Sequence, residues 1–568
     1  MSDTHYEKLS KERKKLQTEG LIPDWYTSGG YQMFSTKYEF ETNGRSVRGQ
    51  FERIAKIAAS HLVGTKYESQ AESKFFWLLW EGILSPSTPV LANMGTNRGL
   101  PVSCSGTSID DSIDGFYKNR YENAILTKHG FGTSSYLGDI RGRGEKISVG
   151  GHASGVLPVL KGHIQDSREV SQGGTRRGSW AGYIEIDHKD FDEIADFVLA
   201  EPDDANIGWN ITDSFIEKLQ SGDQESIRRY QKALKLKMIT GKGYFCFIDK
   251  VNRNRPEMYK TNNLYVKASN LCDEITLFAD KDHSFSCVLS SMNASKYDEW
   301  KDTDAVYWAT IFLDCVAQEF IEKSKRIDGL EKVRRFTEKG RALGLGIAGL
   351  HTLFQKKMIP FEAFEAHMLS QQVSAHIWKE SLRASQEMAK ELGEPEWCKG
   401  FGVRNTHRIA IAPTKSSSLI MGGISEGINP DPAFVYTQST AAGEIDRVNP
   451  QLLDLMKSKG VNLKQGIAEI TEKQGSVQHV EWLTNHEKDV FKTAFEINQK
   501  SILRMASARA NYIDQWQSLN LFFDANEDES WISEVHKEGF LDEKILGLYY
   551  VYSQAGVQAS KVECEACQ

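Results

Sequence analysis

Residues 270–277 read NLCDEITL, and in this stretch Cys272 stands between an amide, Asn270, and a carboxylate, Glu274, at alternate positions. In an extended segment successive side chains point to opposite sides, so residues 270, 272 and 274 would share one face. That face would carry a hydrogen-bonding amide, a sulfur and an acid. The plainer account is a strand with a buried structural cysteine, in effect a small hydrophobe, between two solvated polar groups. The rest of the chain has to decide between them.

The 568 residues suffice for several domains of roughly 150 residues, or for one large α/β barrel. Hydrophobic residues make up 40% and charged residues 26%, the balance of an ordinary globular protein. The net charge of −8 is spread along the chain, and the one dense basic cluster, KLSKERKK at 8–15, reads as a solvated helix face. A nucleic-acid binder would show a stronger basic footprint, so that class is set aside. No apolar run is long enough to span a membrane, and the N-terminus lacks the apolar core of a signal peptide. A cytoplasmic protein is expected. Its eight cysteines then do not form a disulfide scaffold. Cys246 in GYFCFID and Cys315 in IFLDCVA read as inert core residues.

Residues 1–84 read as a helical segment, because FERIAKIAASHLV and ESKFFWLLWEGIL place apolar residues three and four apart. From 128 to 178 the chain is rich in glycine, as in HGFGTSS, GDIRGRGEKISVGGHASG and SQGGTRRG, which suits tight turns or backbone close to a ligand. Helical stretches then alternate with short apolar strands such as YFCFID and RIAIA. One large α/β domain over 85–552 is expected, with a mobile tail over 553–568.

Four further motifs stand out. RIAIAPTKSSSLIMGG, 408–423, is a strand, a proline, hydroxyl residues and an apolar helical run. Thr414, Ser416 and Ser417 would surround a helix N-terminus, where free N–H groups favour a phosphate; simple N-capping is the competing account. GLGIAG, 344–349, matches GxGxxG, but the charged VRRFTEKGRA before it is no strand, so these glycines read as close packing. CEAC, 564–567, has no second ligand pair for zinc and reads as a dithiol that exchanges with another disulfide. Cys104 in PVSCSGTS and Cys287 in SFSCVLSSMN, both flanked by hydroxyl residues, are candidates for that disulfide. Tyr549 and Tyr550 in LGLYYVYSQ alone would be packing aromatics.

Taken together, in this order, Asn-x-Cys-x-Glu, the two separated cysteines, Pro-Thr-x-Ser-Ser, Tyr-Tyr and the terminal CxxC resemble the large subunit of class I ribonucleotide reductase, from about LIPDWYTSGGYQMFSTKY to the last residue. The resemblance implies a ten-stranded α/β barrel of two half-barrels, with a central finger loop bearing NLCDEI and a helical segment before it. It assigns Cys272 as the thiyl radical that takes the 3′ hydrogen of a ribonucleoside diphosphate, Glu274 as general base and Asn270 as a substrate contact. Cys104 and Cys287 would supply the reducing equivalents and end as a disulfide. Cys564 and Cys567 would reduce it, recharged by thioredoxin or glutaredoxin. Thr88, Ser103 and the segment Pro413, Thr414, Lys415, Ser416 and Ser417 would hold substrate. Tyr549 and Tyr550 would relay the radical from a separate small (β) subunit, which would hold the metal or radical cofactor; this chain would need none.

The resemblance also implies a homodimer and a nucleoside triphosphate effector site at Asp111, Arg141, Gln172 and Arg176. Two departures stand out: Ser148 or Val149 replaces an arginine of some relatives, and Lys415 replaces a glutamate or glycine. An N-terminal ATP-cone of roughly 90 residues, found in many relatives, would not fit before LSPSTPVLAN at 84–93, so no dATP shut-off is expected. Two other readings stay open. One is an adenosylcobalamin-dependent class II reductase, which would need no tyrosine relay. The other is a nucleotide-binding regulatory protein that lost the chemistry.

Overall fold

The computed structural model describes residues 5–172, 176–204, 206–440 and 443–553. Five strands, Cys104–Ser108, Gly132–Tyr136, Trp180–Glu185, Asn206–Asn210 and Tyr244–Cys246, pair in chain order and all run parallel. Parallel pairing needs a long crossover. Helices Ile113–Lys128, Leu157–Glu169, Phe191–Ala200 and Gln224–Thr240 provide it. The first two strands, CSGTS and GTSSY, are polar yet buried. Some of their hydroxyls are satisfied locally: Thr107 Oγ1 and Ser135 Oγ lie 2.8 Å apart, and Trp180 Nε1 donates to Ser135 Oγ at 2.9 Å, whereas Ser105 Oγ is buried without a hydrogen-bond partner. Small residues here leave the sheet's inner side open for another segment.

The second half starts at Phe285–Asn293, which runs antiparallel to Cys104–Ser108 and parallel to Leu343–Ala348. Extended runs continue the pairing. Leu343 N donates to His407 O at 2.9 Å, and Ile411 N donates to Trp516 O at 3.0 Å. With the short flanking strands Leu84–Pro86 and Gly547–Leu548, the main sheet has nine strands; the expected count of ten is not confirmed. Gly344 and Gly346 of GLGIAG are strand residues in close packing, as expected, and Gly349 caps the next helix at φ +76°. A Cβ on Gly344 would stand 2.4 Å from Leu289 Cδ2 and 2.9 Å from Cys287 Sγ.

Residues 262–284 form no regular element, yet Ser269, Asn270, Cys272, Glu274 and Ile275 are buried. Both halves of the sheet hold this segment. Ser134 Oγ donates to Ser269 O at 2.8 Å from one side, and Trp516 N donates to Glu274 O at 2.9 Å from the other. It is a finger inserted between half-barrels. The hydrophobic core runs without a break from Leu9 to Val551, so the N-terminal helices share it; Phe75, for example, meets Phe312 edge-on at 5.4 Å. A second, smaller core gathers Phe434, Leu452, Met456, Ile470, Val480 and Phe491. Within the main core, the Asp314 carboxylate accepts from Arg341 Nε and Arg404 Nε, each at 2.8 Å. Removing one member of such a buried set costs about 3–5 kcal/mol, so it ties the helix Ala305–Ser324 firmly to the second half-barrel. Among the described residues no helix is long and apolar enough to cross a membrane.

Candidate active site

At the finger tip the structure corrects the expected strand. Asp273 N donates to Asn270 O at 3.2 Å, and Asp273 has φ +61°, so residues 270–273 make a tight turn rather than an extended segment. Asn270 closes it, its Oδ1 accepting from Glu274 N and Ile275 N, both at 3.1 Å. An asparagine side chain that bonds backbone ahead of it is a standard turn device. Asn270, Cys272 and Glu274 are therefore gathered by a turn, not by strand alternation, and all three have no exposed surface.

The residue between cysteine and acid, Asp273, is a feature the sequence reading passed over. Its Oδ1 accepts from Tyr183 OH at 3.3 Å, and its Oδ2 is buried without a hydrogen-bond partner. Burial drives this carboxyl well above the usual range, opposed by the Lys237 ammonium. Lys237 is itself buried, its pKa pushed down to about 7 by desolvation, with Asp273 pulling the other way. Its Nζ donates to Gly243 O at 3.3 Å, to Leu548 O at 3.2 Å and to Tyr549 O. Lys237 thus pins the Leu548–Tyr549 backbone close to the finger.

Cys104 and Cys287 are register partners on neighbouring antiparallel strands. Directly opposed residues have Cβ atoms about 4.5–5.5 Å apart, and a disulfide needs about 3.5–4.5 Å, so a slight closure suffices. Neither is in a disulfide, and both are buried. Asn270 Nδ2 donates to Cys104 Sγ at 3.4 Å, tying that sulfur to the finger tip. Gln515 Nε2 donates to Cys287 Sγ at 3.4 Å, while Gln515 Oε1 accepts from Thr276 N at 3.3 Å. Burial pushes the Cys287 thiol far above its ordinary value, and the Glu274 charge adds to this. It therefore holds its proton at neutral pH.

The run 515–521 links finger to tyrosines, and nothing in the sequence reading singled it out. Ser518 Oγ lies 2.7 Å from Cys272 O and 3.3 Å from Glu274 Oε2. One residue on, Leu519 O accepts from Tyr549 N at 2.9 Å, and Leu521 N donates to Tyr550 O at 3.0 Å. The Tyr549 and Tyr550 rings are 4.1 Å apart and tilted by 56°, so the pair is in contact but not face to face. A third tyrosine joins them: Tyr244 lies 4.8 Å from Tyr549, and its hydroxyl is 3.3 Å from that of Tyr550. Only its place in the buried strand YFC could have marked it.

Beyond the cysteines, Thr88 opens the helix Thr88–Asn93, and its Oγ1 accepts from Tyr38 OH at 3.2 Å. Ser103 precedes the Cys104 strand, buried, its Oγ with no hydrogen-bond partner. The segment after Pro413 makes the expected helix N-terminus, Lys415–Ile420, with Thr414 as N-cap at φ +57°. Thr414 Oγ1 accepts from Gly427 N at 2.8 Å instead of capping, which leaves Ser416 and Ser417 in the first turn. Asp111 and Arg141 form an ion pair, and Arg141 Nη1 also donates to Lys146 O at 3.3 Å. Gln172 and Arg176 pair across a two-residue antiparallel ladder. Cys564 and Cys567 lie outside the described residues.

The family model described as "Ribonucleotide reductase, barrel domain" matches residues 102–229, 229–401 and 395–551. The chain belongs to the ribonucleotide reductase family. It is 32% identical to the "Putative ribonucleoside-diphosphate reductase large subunit" of Frog virus 3, over 86% of this chain and 91% of that protein. Against the "Ribonucleoside-diphosphate reductase large subunit" of Danio rerio the identity is 26%, over 94% of this chain and 76% of that one. Among solved structures it is similar to the Actinobacillus ureae class Id ribonucleotide reductase alpha subunit, with a TM-score of 0.87, 36% identity and coverage of 94% and 99%.

Proposed function

We propose that this chain reduces ribonucleoside diphosphates to 2′-deoxyribonucleoside diphosphates, with the initiating radical supplied by a small subunit that holds the metal or radical cofactor. One observation carries the reading: Cys104 and Cys287 are opposed across two strands, and Asn270, which closes the finger turn carrying Cys272 and Glu274, donates to Cys104 Sγ. A buried thiol trio with one amide and one carboxylate suits radical chemistry that water must not enter.

In this reading the Cys272 thiyl takes the 3′ hydrogen, and Glu274 accepts the 3′-hydroxyl proton as general base. The 2′-hydroxyl leaves as water, its added proton coming from the thiol pair. Two electrons from Cys104 and Cys287 complete the reduction, and the two sulfurs join as a disulfide. Cys272 then returns its hydrogen to C3′. Net, one ribonucleotide and two thiols become one deoxyribonucleotide, one water and one disulfide. Asn270, Thr88 and Ser103 hold the sugar, and the 413–417 segment holds the diphosphate. Asp111, Arg141, Gln172 and Arg176 form the effector site, in a homodimer. The test is deoxynucleotide formation by the reduced protein with a class I small subunit, beside one arm with adenosylcobalamin alone. Product only in the first arm supports the reading; product in the second would make it a class II enzyme, and none in either would leave a nucleotide-binding regulator.

Cys564 and Cys567 serve as the dithiol that reopens the 104–287 disulfide. The double variant Cys564→Ser, Cys567→Ser is expected to complete about one turnover per pre-reduced chain and then stall with thioredoxin. A small dithiol should restore part of the rate, because exchange depends on access as well as potential. Multiple turnover with thioredoxin at the wild-type rate would assign the shuttle elsewhere.

A further inference from the structure

The two sulfurs of the reducing pair have different surroundings. A Cβ on Gly344 would meet Cys287 Sγ at 2.9 Å and Ala410 Cβ at 3.3 Å, so this sulfur packs against the strand Leu343–Ala348 and the extended run beside it. Gln515 Nε2 donates to it at 3.4 Å. The same nitrogen donates to Leu343 O at 2.9 Å, and Gln515 Oε1 accepts from Thr276 N at 3.3 Å. The amide is 1% exposed, and the residue before it, Asp514, is fixed in turn by Arg408 N at 3.0 Å and Ile409 N at 2.8 Å. Gln515 is therefore a donor locked between the finger and the second half-barrel. Burial opposes a thiolate at Cys287, as do the Glu274 and Asp514 charges, and the Gln515 hydrogen bond is the largest influence in its favour. Tyr259 also feels the charge of this sulfur. Cys104 instead follows Ser103, an expected sugar contact, and accepts from Asn270 Nδ2 of the finger tip at 3.4 Å.

We propose that Gln515 is a further catalytic residue, a fixed donor that stabilises Cys287 as the departing thiolate when the Cys104–Cys287 disulfide is reopened, so that the incoming thiol attacks Cys104. The inference rests on the reading of these two cysteines as the reducing pair. The first thiolate of the incoming dithiol bonds to Cys104 Sγ as the disulfide breaks, and the electron pair of that bond stays on Cys287 Sγ. Cys287 takes the proton of the second incoming thiol. The thiolate so formed attacks the first incoming sulfur and expels Cys104, which takes a proton from water. Net, one dithiol becomes a disulfide and one disulfide becomes two thiols. In the middle of this exchange a charge appears on a sulfur that water does not reach. A donor already aimed at that atom is worth more there than in water, because nothing has to reorganise. A thiolate that is better stabilised also leaves faster.

The test uses the Cys564→Ser, Cys567→Ser chain, oxidised with diamide, and follows the opening of the Cys104–Cys287 disulfide by dithiothreitol. Gln515→Met keeps the length and loses the donor; opening should slow about thirtyfold, the effect of one hydrogen bond to a charged group. Gln515→Glu keeps the acceptor for Thr276 N, and its carboxyl donates only when protonated. Its rate relative to wild type should therefore fall as pH rises, which keeps the test open if the methionine variant folds poorly. With 2-mercaptoethanol as a monothiol and an iodoacetamide quench, the adduct should map to Cys104 and the alkylated thiol to Cys287. Rates within about threefold of wild type for both variants at every pH, or an adduct on Cys287, would overturn the role of Gln515 and leave the reductase reading standing. No disulfide between Cys104 and Cys287 after diamide would remove the reducing pair, and this inference with it.

Discussion

Replacing Cys272 with serine is expected to abolish deoxynucleotide formation and to leave the fold intact. The hydroxyl is smaller than the thiol, and Asn270 and backbone groups hold the turn around position 272. Ser518 bonds the Cys272 carbonyl, which the substitution keeps. The change is therefore chemical. An alkyl O–H bond is much stronger than an S–H bond, so a tyrosyl radical cannot oxidise it at accessible potential. Every 1.4 kcal/mol or so added to a barrier costs tenfold, and the gap amounts to many such steps. Turnover should fall by at least about 10⁴-fold, to background, with saturating small subunit and an unchanged thermal midpoint. Residual activity within a factor of about ten of wild type would take Cys272 out of the central role.

Tyr549→Phe and Tyr550→Phe should each stop turnover that depends on the small subunit while nucleotide binding stays near normal. Phenylalanine keeps the ring contacts, at 4.1 Å between the pair and 4.8 Å to Tyr244, but cannot be oxidised in the accessible range. The backbone that places these rings is fixed independently, by Leu519 and Leu521 and by Lys237 on the 548 and 549 carbonyls. Loss of rate should therefore exceed about 10³-fold with little change in stability. Because Tyr244 touches both rings, its hydroxyl 3.3 Å from that of Tyr550, a bypass through Tyr244 is the outcome to watch. Substantial turnover by the Tyr550→Phe variant would mean that the radical takes such a route or none through this pair.

The parts of the site legible in sequence were those whose chemistry is unusual for their surroundings. A cysteine between amide and acid, cysteines among serines and a strand ending in Pro-Thr-x-Ser-Ser each looked wrong for a plain core. Their grouping was then readable as a set. The local geometry was not. Alternation suggested an extended strand at 270–274, whereas Asn270 folds the chain back on itself and Asp273 accepts a left-handed conformation. Apart from Cys104 and Tyr136 the strands Cys104–Ser108 and Gly132–Tyr136 are serine, threonine and glycine, so no apolar period announces them, and their burial is eased by contacts such as that of Thr107 Oγ1 with Ser135 Oγ. Gln515, Ser518, Tyr183 and Lys237 were missed for a related reason. Each is ordinary in its own stretch and acquires meaning only from a partner between about 80 and 310 residues away, Cys287, Cys272, Asn270 and Leu548 respectively. Long-range pairing leaves no mark in a local window.

The fate of two sulfurs in a single turnover is the most direct measure of the proposed chemistry. Fully reduced protein would be mixed with a ribonucleoside diphosphate and the small subunit without external reductant, with the Cys564→Ser, Cys567→Ser chain used so that no second dithiol can intervene. Deoxynucleotide would be quantified and the disulfides mapped by mass spectrometry after acid quench. The opposed strands predict one Cys104–Cys287 disulfide for each deoxynucleotide formed, with Cys246, Cys315 and Cys398 still thiols. Deoxynucleotide formed in that amount while Cys104 and Cys287 both remain reduced would contradict it.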